Sequence, residues 1–472
     1  MDRLEQRRNL KNLIVLAVPV ILEEILTTLL QYVDTAMVGR LGAAATSSVS
    51  LTTTVNWLIG TGFGSIGVAV VAIISSAYGA GDSGKIRRMT SQVVIYVLTA
   101  GLAIGAVAVT LSPFIPVWMQ ADVEIREPAA VYFRIISIPI VFRAANIMCA
   151  SALRAVKDTK TPMRINLVAN ILNVDLNYLL IYTAGMGVEG AAIATAISST
   201  LAGSAMFLAM RHNKVLGGRI GKLKFDRDLY LETVQIGLPA LATSTSSCMG
   251  HIVFASLVSS MGTTVFAAHS IALSAETMFY LPGYGLRGAT TTLIGISVGE
   301  NDRDKFKVVE RQSVILTVAM MTVTGIMLFF LAQPMMRIFT PDEEVIRQGS
   351  KVLKLIAVSE PLFGLMIVSE GIYHGLGQTR IPFWASTIGS WVVRICGTVI
   401  CLKVLHTTLF GVWICMFADN TFRALFMAVP LCMGLDLKYF GKRRKAMRTG
   451  QDAGVPSEEE SIPDASPDGT GV

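Results

Sequence analysis

Charged residues are scarce in this chain. Asp, Glu, Lys and Arg make up 15% of its 472 residues, whereas an average soluble domain carries about 25%. Cysteine is also sparse: the six cysteines lie inside apolar stretches without a C-x-x-C spacing, which gives no sign of a disulfide framework or a zinc site. Because hydrophobic residues reach 52% and occur in blocks of about 20, we expect a polytopic membrane protein instead of a soluble one.

The apolar blocks predict an all-α protein with twelve transmembrane helices. The predicted spans are residues 12–37, 46–77, 91–117, 129–153, 163–183, 188–210, 229–261, 264–298, 312–339, 350–376, 381–404 and 409–435. No small-residue cleavage pattern follows the first block, so we interpret it as a membrane helix and not as a cleaved signal peptide. Prolines interrupt five spans and predict kinks at Pro19, Pro139, Pro239, Pro282 and Pro361, with Pro19 and Pro239 as hinges.

The distribution of Lys and Arg predicts the orientation of the chain. The termini and even-numbered loops hold 28 of these residues, and the odd-numbered loops hold seven. Positive residues accumulate on the cytoplasmic side, so both termini are predicted to be cytoplasmic in a plasma (inner) membrane protein. The net charge of +7 therefore belongs to membrane loops and does not indicate nucleic-acid binding. From Gln451 onward the tail is acidic without Lys or Arg, and it is predicted to be disordered.

An internal repeat at an offset of about 220 residues organises the sequence. Matching positions include Pro19 and Pro239, Gly42 and Gly262, Gly79 and Gly299, Asp82 and Asp302, and Lys85 and Lys305. Each unit contains six predicted helices, so the two units enter the membrane from the same side as parallel repeats. The predicted organisation is an N-terminal segment (1–11), an N-terminal lobe (12–210), a basic linker (211–228), a C-terminal lobe (229–436) and a tail (437–472). Such a two-lobe architecture is typical of secondary transporters, with the substrate path between the lobes.

Several motifs, taken in order, resemble the MATE family of multidrug and toxic compound extrusion antiporters. They are Gln-Tyr-Val-Asp-Thr-Ala-Met-Val-Gly-Arg-Leu-Gly in the first span, Tyr-Gly-Ala-Gly-Asp after the second, Leu-Asn-Tyr-Leu-Leu-Ile-Tyr in the fifth, Gly-Val-Glu-Gly-Ala-Ala-Ile-Ala-Thr opening the sixth, and Ala-Ala-His-Ser-Ile-Ala-Leu in the eighth. The resemblance covers about residues 12–436. It implies a monomeric transporter in membrane lipid that exports small organic compounds in exchange for H⁺ or Na⁺, without a cofactor.

Polar residues at membrane depth are functional candidates, because a charge at a helix centre costs about 2.5–3.5 kcal/mol on insertion scales. In the first span Glu23, Thr27, Gln31 and Asp34 share one helical face, and Glu24 lies beside it. Glu23, Glu24 and Gln31 are candidates for lining a substrate cavity. For the two glutamates, a bond to a neighbouring helix is the alternative to contact with a cationic drug.

The fifth span carries asparagines on one face, Asn166, Asn170, Asn173 and Asn177, and buried amides in lipid need partners. The family resemblance implies a cation site at Asp34, Asn173, Asn177 and Thr195. Asp175 is a candidate for a displaced proton site, with a structural acceptor as the alternative. Desolvation disfavours an ionised carboxylate, so we expect Asp34 to bind H⁺ in preference to Na⁺, although the same oxygens could hold sodium.

The C-terminal lobe departs from the family pattern. Ser247 and Phe363 stand where some members carry acids. Glu276 and Glu370 are therefore expected to be structural or adjacent to substrate, rather than to couple ions. Asp419 and Arg423, four residues apart, predict an intrahelical ion pair, and Arg287 and Arg394 are expected to find acids within the bundle.

The sequence therefore predicts an antiporter that exports amphipathic, cationic compounds by alternating access of two lobes. The alternative transporter is a flippase for a lipid-linked oligosaccharide precursor, which would be favoured by basic residues in the central cavity. An enzyme is disfavoured. The stretch 79–86 resembles a P-loop but has Ile86 where a Ser or Thr would bind magnesium, and neither an Asp-rich cluster nor a metal-binding cluster is present in the sequence.

Overall fold

Helices form nearly all of the computed structural model, which describes residues 3–217 and 224–434. They are α1 (Arg3–Gly39), α2 (Ala43–Gly79), α3 (Ser83–Leu111), α4 (Ile115–Trp118), α5 (Val123–Ser137), α6 (Ile140–Ala155), α7 (Lys160–Asn177), α8 (Gly187–His212), α9 (Arg227–Ser259), α10 (Thr263–Gly299), α11 (Arg303–Phe339), α12 (Glu343–Leu376), α13 (Arg380–Thr387), α14 (Gly397–Lys403) and α15 (Leu409–Cys432). Two π-helical segments, Tyr178–Thr183 and Ile388–Cys396, extend α7 and join α13 to α14. The acidic tail and part of the basic linker lie outside the described residues.

The long helices confirm an all-α polytopic membrane protein. Among the described residues, ten helices are long and apolar enough to cross a membrane, and the bent pair α5 and α6 makes an eleventh. The predicted span missing from this set is α10, a helix of 37 residues that carries Glu276 and Arg287. The predicted number of twelve therefore exceeds this set by one. Helix α1 also begins at Arg3, so most of the segment predicted to precede the first span is helical.

The internal repeat is visible in the helix boundaries. Helices α2 and α10 begin at residues 43 and 263 and end at 79 and 299, while α3 and α11 begin at 83 and 303. Gly42 and Gly262 precede α2 and α10 with φ of 107° and 111°, a backbone conformation that a side chain would strain. The repeated sequence positions therefore specify the same turn in both units.

The prolines have unequal effects on the helices. Pro139 lies between α5 and α6, whose axes differ by 51°, as expected for a residue that removes a helix hydrogen bond. Pro19, Pro239, Pro282 and Pro361 lie inside unbroken helices. The hinge role expected for Pro19 and Pro239 concerns motion and stays a prediction.

The first helix of each unit packs its first half into the core of the other unit. Leu13, Leu16 and Ala17 of α1 are buried in a cluster formed mainly by α10, α11, α12 and α15. Leu229 and Ile236 of α9 are buried in the cluster of the N-terminal unit. Helices α1 and α9 therefore interlock the two units. The predicted lobe boundaries assign each of these helices to a single lobe and do not include this exchange.

The ends of α2 and α10 meet on the side of the bundle where the linker enters α9, here called the linker face. A Cβ added at Gly79 would overlap the carbonyl oxygen of Ile296, and one at Gly299 would overlap the carbonyl oxygen of Ser76. Only glycine permits such an approach between two helix backbones. The two units are thus in backbone contact at the linker face.

Candidate functional site

Helices α1 and α7 are joined by polar side chains at a constant sequence separation of 143 residues. Three asparagine side chains of α7 donate to three acceptors on one face of α1. The pairs are Asn166 to Glu23 at 2.6 Å, Asn170 to Thr27 at 3.1 Å, and Asn177 to Asp34. The two polar faces predicted separately from the sequence therefore meet each other along parallel helices.

Asp34 lies at one end of a hydrogen-bond chain that crosses three helices. The Nδ2 of Asn177 donates to Oδ1 of Asp34 and also, at 3.2 Å, to Oδ1 of Asn173. Asn173 in turn donates to the hydroxyl of Thr195 on α8 at 3.4 Å. The structure thus brings together the four residues that the resemblance implied. Asn177 is fully buried, and its Oδ1 has no hydrogen-bond partner among the described residues.

A cavity of about 300 Å³ lies beside this chain, within the N-terminal unit. Asp34, Asn173 and Thr195 line it, together with Gln31 from the same face of α1. The cavity has room for water or a small ion next to the carboxylate, but its volume is at the lower end of the roughly 300–1,000 Å³ typical of organic-ligand pockets.

Tyr132 and Arg143 also line this cavity and were not predicted from the sequence. Arg143 donates to the side chain of Asn56 at 2.9 Å, and the described residues give it no ion pair. Arg143 is distant from Asp34 in the sequence, so no local pattern links the two residues. Arg143 does lie inside the apolar block 129–153, and a charged residue within a membrane helix is a functional candidate on that ground alone.

Asp175 does not join the cluster. Its side chain is exposed on α7, and it is absent from the cavity lining. A residue two positions before Asn177 points about 200° away around the helix, which is why the carboxylate faces away from Asp34. The structure therefore separates Asp175 from the other candidate coupling residues.

The two glutamates of α1 have different surroundings. Glu23 is 7% exposed, pairs with Arg154 at 2.7 Å and accepts from Asn166. Glu24 is half-buried and has no hydrogen bond or ion pair within the described part of the chain, although the charges of Arg154 and Arg287 act on it. Glu23 is thus held by neighbouring helices, while the carboxylate of Glu24 is available.

The C-terminal unit confirms the expected ion pairs. Arg287 lies 3.0 Å from Glu370. Asp419 accepts from Arg423 at 2.6 Å and from Arg394 at 2.8 Å. All five charges therefore have partners inside the bundle, as burial of charge in lipid demands.

The equivalent of the Asp34 contact is missing from the C-terminal unit. By the offset of the internal repeat, Phe254 and Gly397 stand at the positions that correspond to Asp34 and Asn177. The register between the corresponding helices persists, since Arg394 lies 3.5 Å from His251 at the same separation of 143 residues. The two units thus share a backbone arrangement but differ in the chemistry that it presents.

Within residues 3–217 and 224–434 no group of three or more His, Cys, Asp or Glu side chains is placed to hold a metal ion. The six cysteines form no disulfide; Cys401 Sγ lies 3.5 Å from Cys415 Sγ, and Cys396 and Cys432 are exposed.

Comparison with known proteins gives consistent matches along the chain. The MatE family model matches residues 19–179 and 239–400. The chain is 27% identical over 418 residues to a probable multidrug resistance protein NorM of Thermotoga maritima, covering 88% of this chain and 90% of that protein. It is 26% identical over 449 residues to the multidrug resistance protein MdtK of Edwardsiella ictaluri, covering 90% and 95%.

Solved structures share the fold at low sequence identity. One is titled as an outward-facing conformation of a multidrug resistance MATE family transporter of the MOP superfamily. It has a TM-score of 0.86 at 20% identity and covers 91% of this chain and 96% of that chain. A crystal structure of MATE in the bent conformation has a TM-score of 0.85 at 20% identity, with 91% and 97% covered. At this identity the likeness shows the two-lobe fold alone.

Proposed function

The chain belongs to the MatE family of membrane transporters, and from this we propose that it exports small amphipathic organic cations in exchange for protons. The multidrug resistance names of its relatives support the substrate class. The proposal places the transporter in the plasma (inner) membrane as a monomer with both termini cytoplasmic, in keeping with the bias of Lys and Arg between its loops.

The observation that carries the coupling proposal is the attachment of α1 to both units. Its first half is buried in the C-terminal core through Leu13 and Leu16. Its second half is hydrogen-bonded to α7 through Thr27 and Asp34. Pro19 lies between these two attachments, so a change at Asp34 can bend α1 and alter how the units meet.

Protonation supplies such a change. An ionised Asp34 accepts the hydrogen bond from Asn177, whereas a protonated Asp34 loses its charge and becomes a donor. The donor chain from Asn177 to Thr195 would then rearrange, and the relative stability of two arrangements of α1 would shift. Export would follow from proton entry on one side of the membrane and proton release on the other. Sodium is the alternative coupling ion, because Asp34, Asn173 and Thr195 also offer oxygens.

Glu24 is the residue of α1 that we propose for contact with a cationic substrate. The carboxylate of Glu23 is already paired with Arg154, and that of Glu370 with Arg287. An available carboxylate between two arginines can hold one positive charge without breaking an existing ion pair. Gln31 remains a candidate for polar contact in the cavity beside Asp34.

The flippase alternative is less well supported. Arg154 and Arg287 are the basic residues that flank Glu24, and each has a carboxylate partner at 2.7 Å and 3.0 Å. A pyrophosphate headgroup would need unpaired basic side chains. The described surroundings of Glu24 therefore favour a cation over an anionic lipid precursor.

Transport into everted membrane vesicles tests the proposed function. Vesicles with a preset pH gradient should accumulate radiolabelled tetraphenylphosphonium, and nigericin should abolish this accumulation. The same vesicles with a sodium gradient and no pH gradient should not accumulate the probe. Accumulation that requires sodium would overturn proton coupling. Absence of accumulation for several organic cations, with the protein correctly inserted, would overturn the substrate class.

A further inference from the structure

A second cavity lies in the C-terminal unit, on the side of the bundle opposite the linker face. Its volume is about 620 Å³, well within the range of roughly 300–1,000 Å³ typical of organic-ligand pockets. The walls come from the turn between α9 and α10 and from the first parts of α10, α12 and α15. Most of the lining is apolar and consists of Met261, Val265, Val352, Leu409 and Phe410. The proposed export function gives this cavity no role.

The polar part of the lining carries one unpaired positive charge. Arg347 is paired through two nitrogens with Glu344, at 2.8 and 2.7 Å, and Gln348 donates to the same carboxylate at 2.6 Å. Lys351, one turn further along α12, donates to no described residue, and none of the described residues that line the cavity is acidic. The cavity therefore complements an anionic group attached to an apolar body.

The length of α12 places Lys351 near the headgroups of the membrane. This helix of 34 residues is about 51 Å long at 1.5 Å per residue, whereas the hydrocarbon core is about 30 Å thick. A centred helix therefore extends about 10 Å beyond the core at each end. Lys351 follows the first residue, Glu343, by eight residues, about 12 Å along the axis. Its flexible side chain can reach a lipid phosphate at this level.

The apolar part of the cavity continues onto an exposed side of α15. This helix packs against α12 and against the segment from α13 to α14, and its remaining side shows Phe410, Ile414, Leu425 and Val429, all exposed. These four residues lie within an arc of about 100°. The exposed apolar side of a membrane helix faces lipid chains. Because Phe410 belongs both to this side and to the cavity, an acyl chain that leaves the cavity there meets a continuous apolar surface.

We propose that this cavity binds one anionic phospholipid, with its phosphate at Lys351 and an acyl chain along α15. By the predicted orientation, the lipid belongs to the outer leaflet. The site is confined to the C-terminal unit, because Val131 stands at the repeat position of Lys351, and Glu127 at that of Arg347. One lipid per chain is therefore expected. The cavity wall at Val352 is part of a buried core cluster, so the lipid should stabilise this unit whatever ion drives export.

Native mass spectrometry of the delipidated full-length protein tests the number and charge of the bound lipid. Phosphatidylglycerol should give one retained lipid per chain, and zwitterionic phosphatidylethanolamine a weaker adduct. Lys351→Gln should weaken phosphatidylglycerol binding about tenfold, the effect of losing one charged contact. Lys351→Arg should retain binding, and so should Lys403→Gln, which removes an exposed charge outside the cavity. Equal binding by the Lys351→Gln and unmodified proteins, or equal binding of the two lipids, would overturn the proposal.

Thermal melts distinguish a lipid from a soluble anion at the same site. Phosphatidylglycerol should raise the melting temperature of the unmodified protein, because a ligand of the folded state stabilises it. The rise should be lost in the Lys351→Gln protein and kept in the Lys403→Gln protein. Glycerol 3-phosphate, which has the phosphate without acyl chains, should leave the melting temperature unchanged. Equal stabilisation by glycerol 3-phosphate would replace the lipid with a soluble anion, and no rise with phosphatidylglycerol would show that the lipid does not occupy the cavity.

Discussion

Gln92 of α3 and Gln312 of α11 are equivalent positions of the internal repeat, and they make the same contact between the two units. The side-chain amide of Gln92 donates to the carbonyl of Asp226 at 3.3 Å, and that of Gln312 donates to the carbonyl of Gln6 at 2.9 Å. Asp226 and Gln6 are themselves equivalent positions of the repeat. Each unit therefore holds the beginning of the other unit's first helix at the linker face.

The Gln92 side of this arrangement is reinforced by charge. Lys85 pairs with Glu232 at 2.9 Å and Arg88 with Asp226 at 3.4 Å, which together we call the ionic clasp. Lys305, the equivalent of Lys85, instead pairs with Glu300 of its own unit. The ionic clasp ties the start of α9 to α3, in the same half of α9 that is buried in the N-terminal core.

Reversal of charge in the clasp should favour release of the start of α9 from α3. Lys85→Glu places two carboxylates together, and Lys85→Glu combined with Glu232→Lys restores the pair. Because partly exposed ion pairs contribute about 0.2–1 kcal/mol, we expect at most about a fivefold change in populations. Spin labels at positions 87 and 227 would report a longer distance in the single variant only. Equal distance distributions in both variants would show that the clasp does not hold the start of α9 against α3.

Alanine at the helix crossing should destabilise the closed linker face. Gly79→Ala and Gly299→Ala each drive a methyl group into a carbonyl oxygen of the opposite unit, and overpacking of this kind typically costs about 1–3 kcal/mol. Gly60→Ala is a matched control within α2, because its Cβ meets no atom within 4 Å. Melting temperatures measured by tryptophan fluorescence should fall for the first two variants and not for the third. Equal melting temperatures in all three variants would show that the contact between the ends of α2 and α10 does not contribute to stability.

The hydrogen bond between Asn177 and Asp34 should be required for coupling. Asp34→Asn should abolish pH-driven export in vesicles while the protein still inserts. Asn177→Leu should reduce export at least about tenfold, since hydrogen bonds to charged groups contribute about 1.5–3 kcal/mol. Asp175→Asn is the control, because this exposed residue lies outside the cavity. Loss of export in the Asp175 variant would make it a coupling residue after all.

Glu370→Gln should retain ion-coupled export but lower stability. Arg287 would lose its carboxylate partner, and the Arg287 side chain is 31% exposed. The free energy of unfolding should therefore fall by an amount between those for surface and buried ion pairs, about 1–3 kcal/mol. The double variant, Arg287→Gln with Glu370→Gln, should recover part of the lost stability. The check is a thermal melt together with the vesicle assay. Complete loss of coupling at normal stability would place the coupling site in the C-terminal unit.

The linker should be accessible from the cytoplasm alone. In a background where the exposed Cys396 and Cys432 are replaced, Lys214→Cys should react with an impermeant maleimide only after the membrane is opened. Val404→Cys, at a position 69% exposed between α14 and α15, should react in intact cells. The opposite labelling pattern would reverse the predicted orientation.

Features that depend on short stretches of chain could be predicted from the sequence. Apolar blocks specify membrane helices because lipid requires each backbone group to bond within its own helix. The spacing of Glu23, Thr27 and Asp34 specifies one helical face because side chains three to four residues apart are neighbours. Glycines and prolines that recur at a constant offset identified the two units, since these residues fix local backbone geometry.

The pairs of groups that meet across helices could not be predicted in this way and are known from the folded structure. Arg154 lies 131 residues from Glu23 in the chain, yet it pairs with the Glu23 carboxylate, which the sequence made a candidate for contact with a substrate. Arg143 joins the cavity of Asp34 from a different helix. The first half of α1 packs into the opposite core. Such pairings depend on how whole helices cross, through close backbone approaches and packing of many side chains, and no local pattern encodes them.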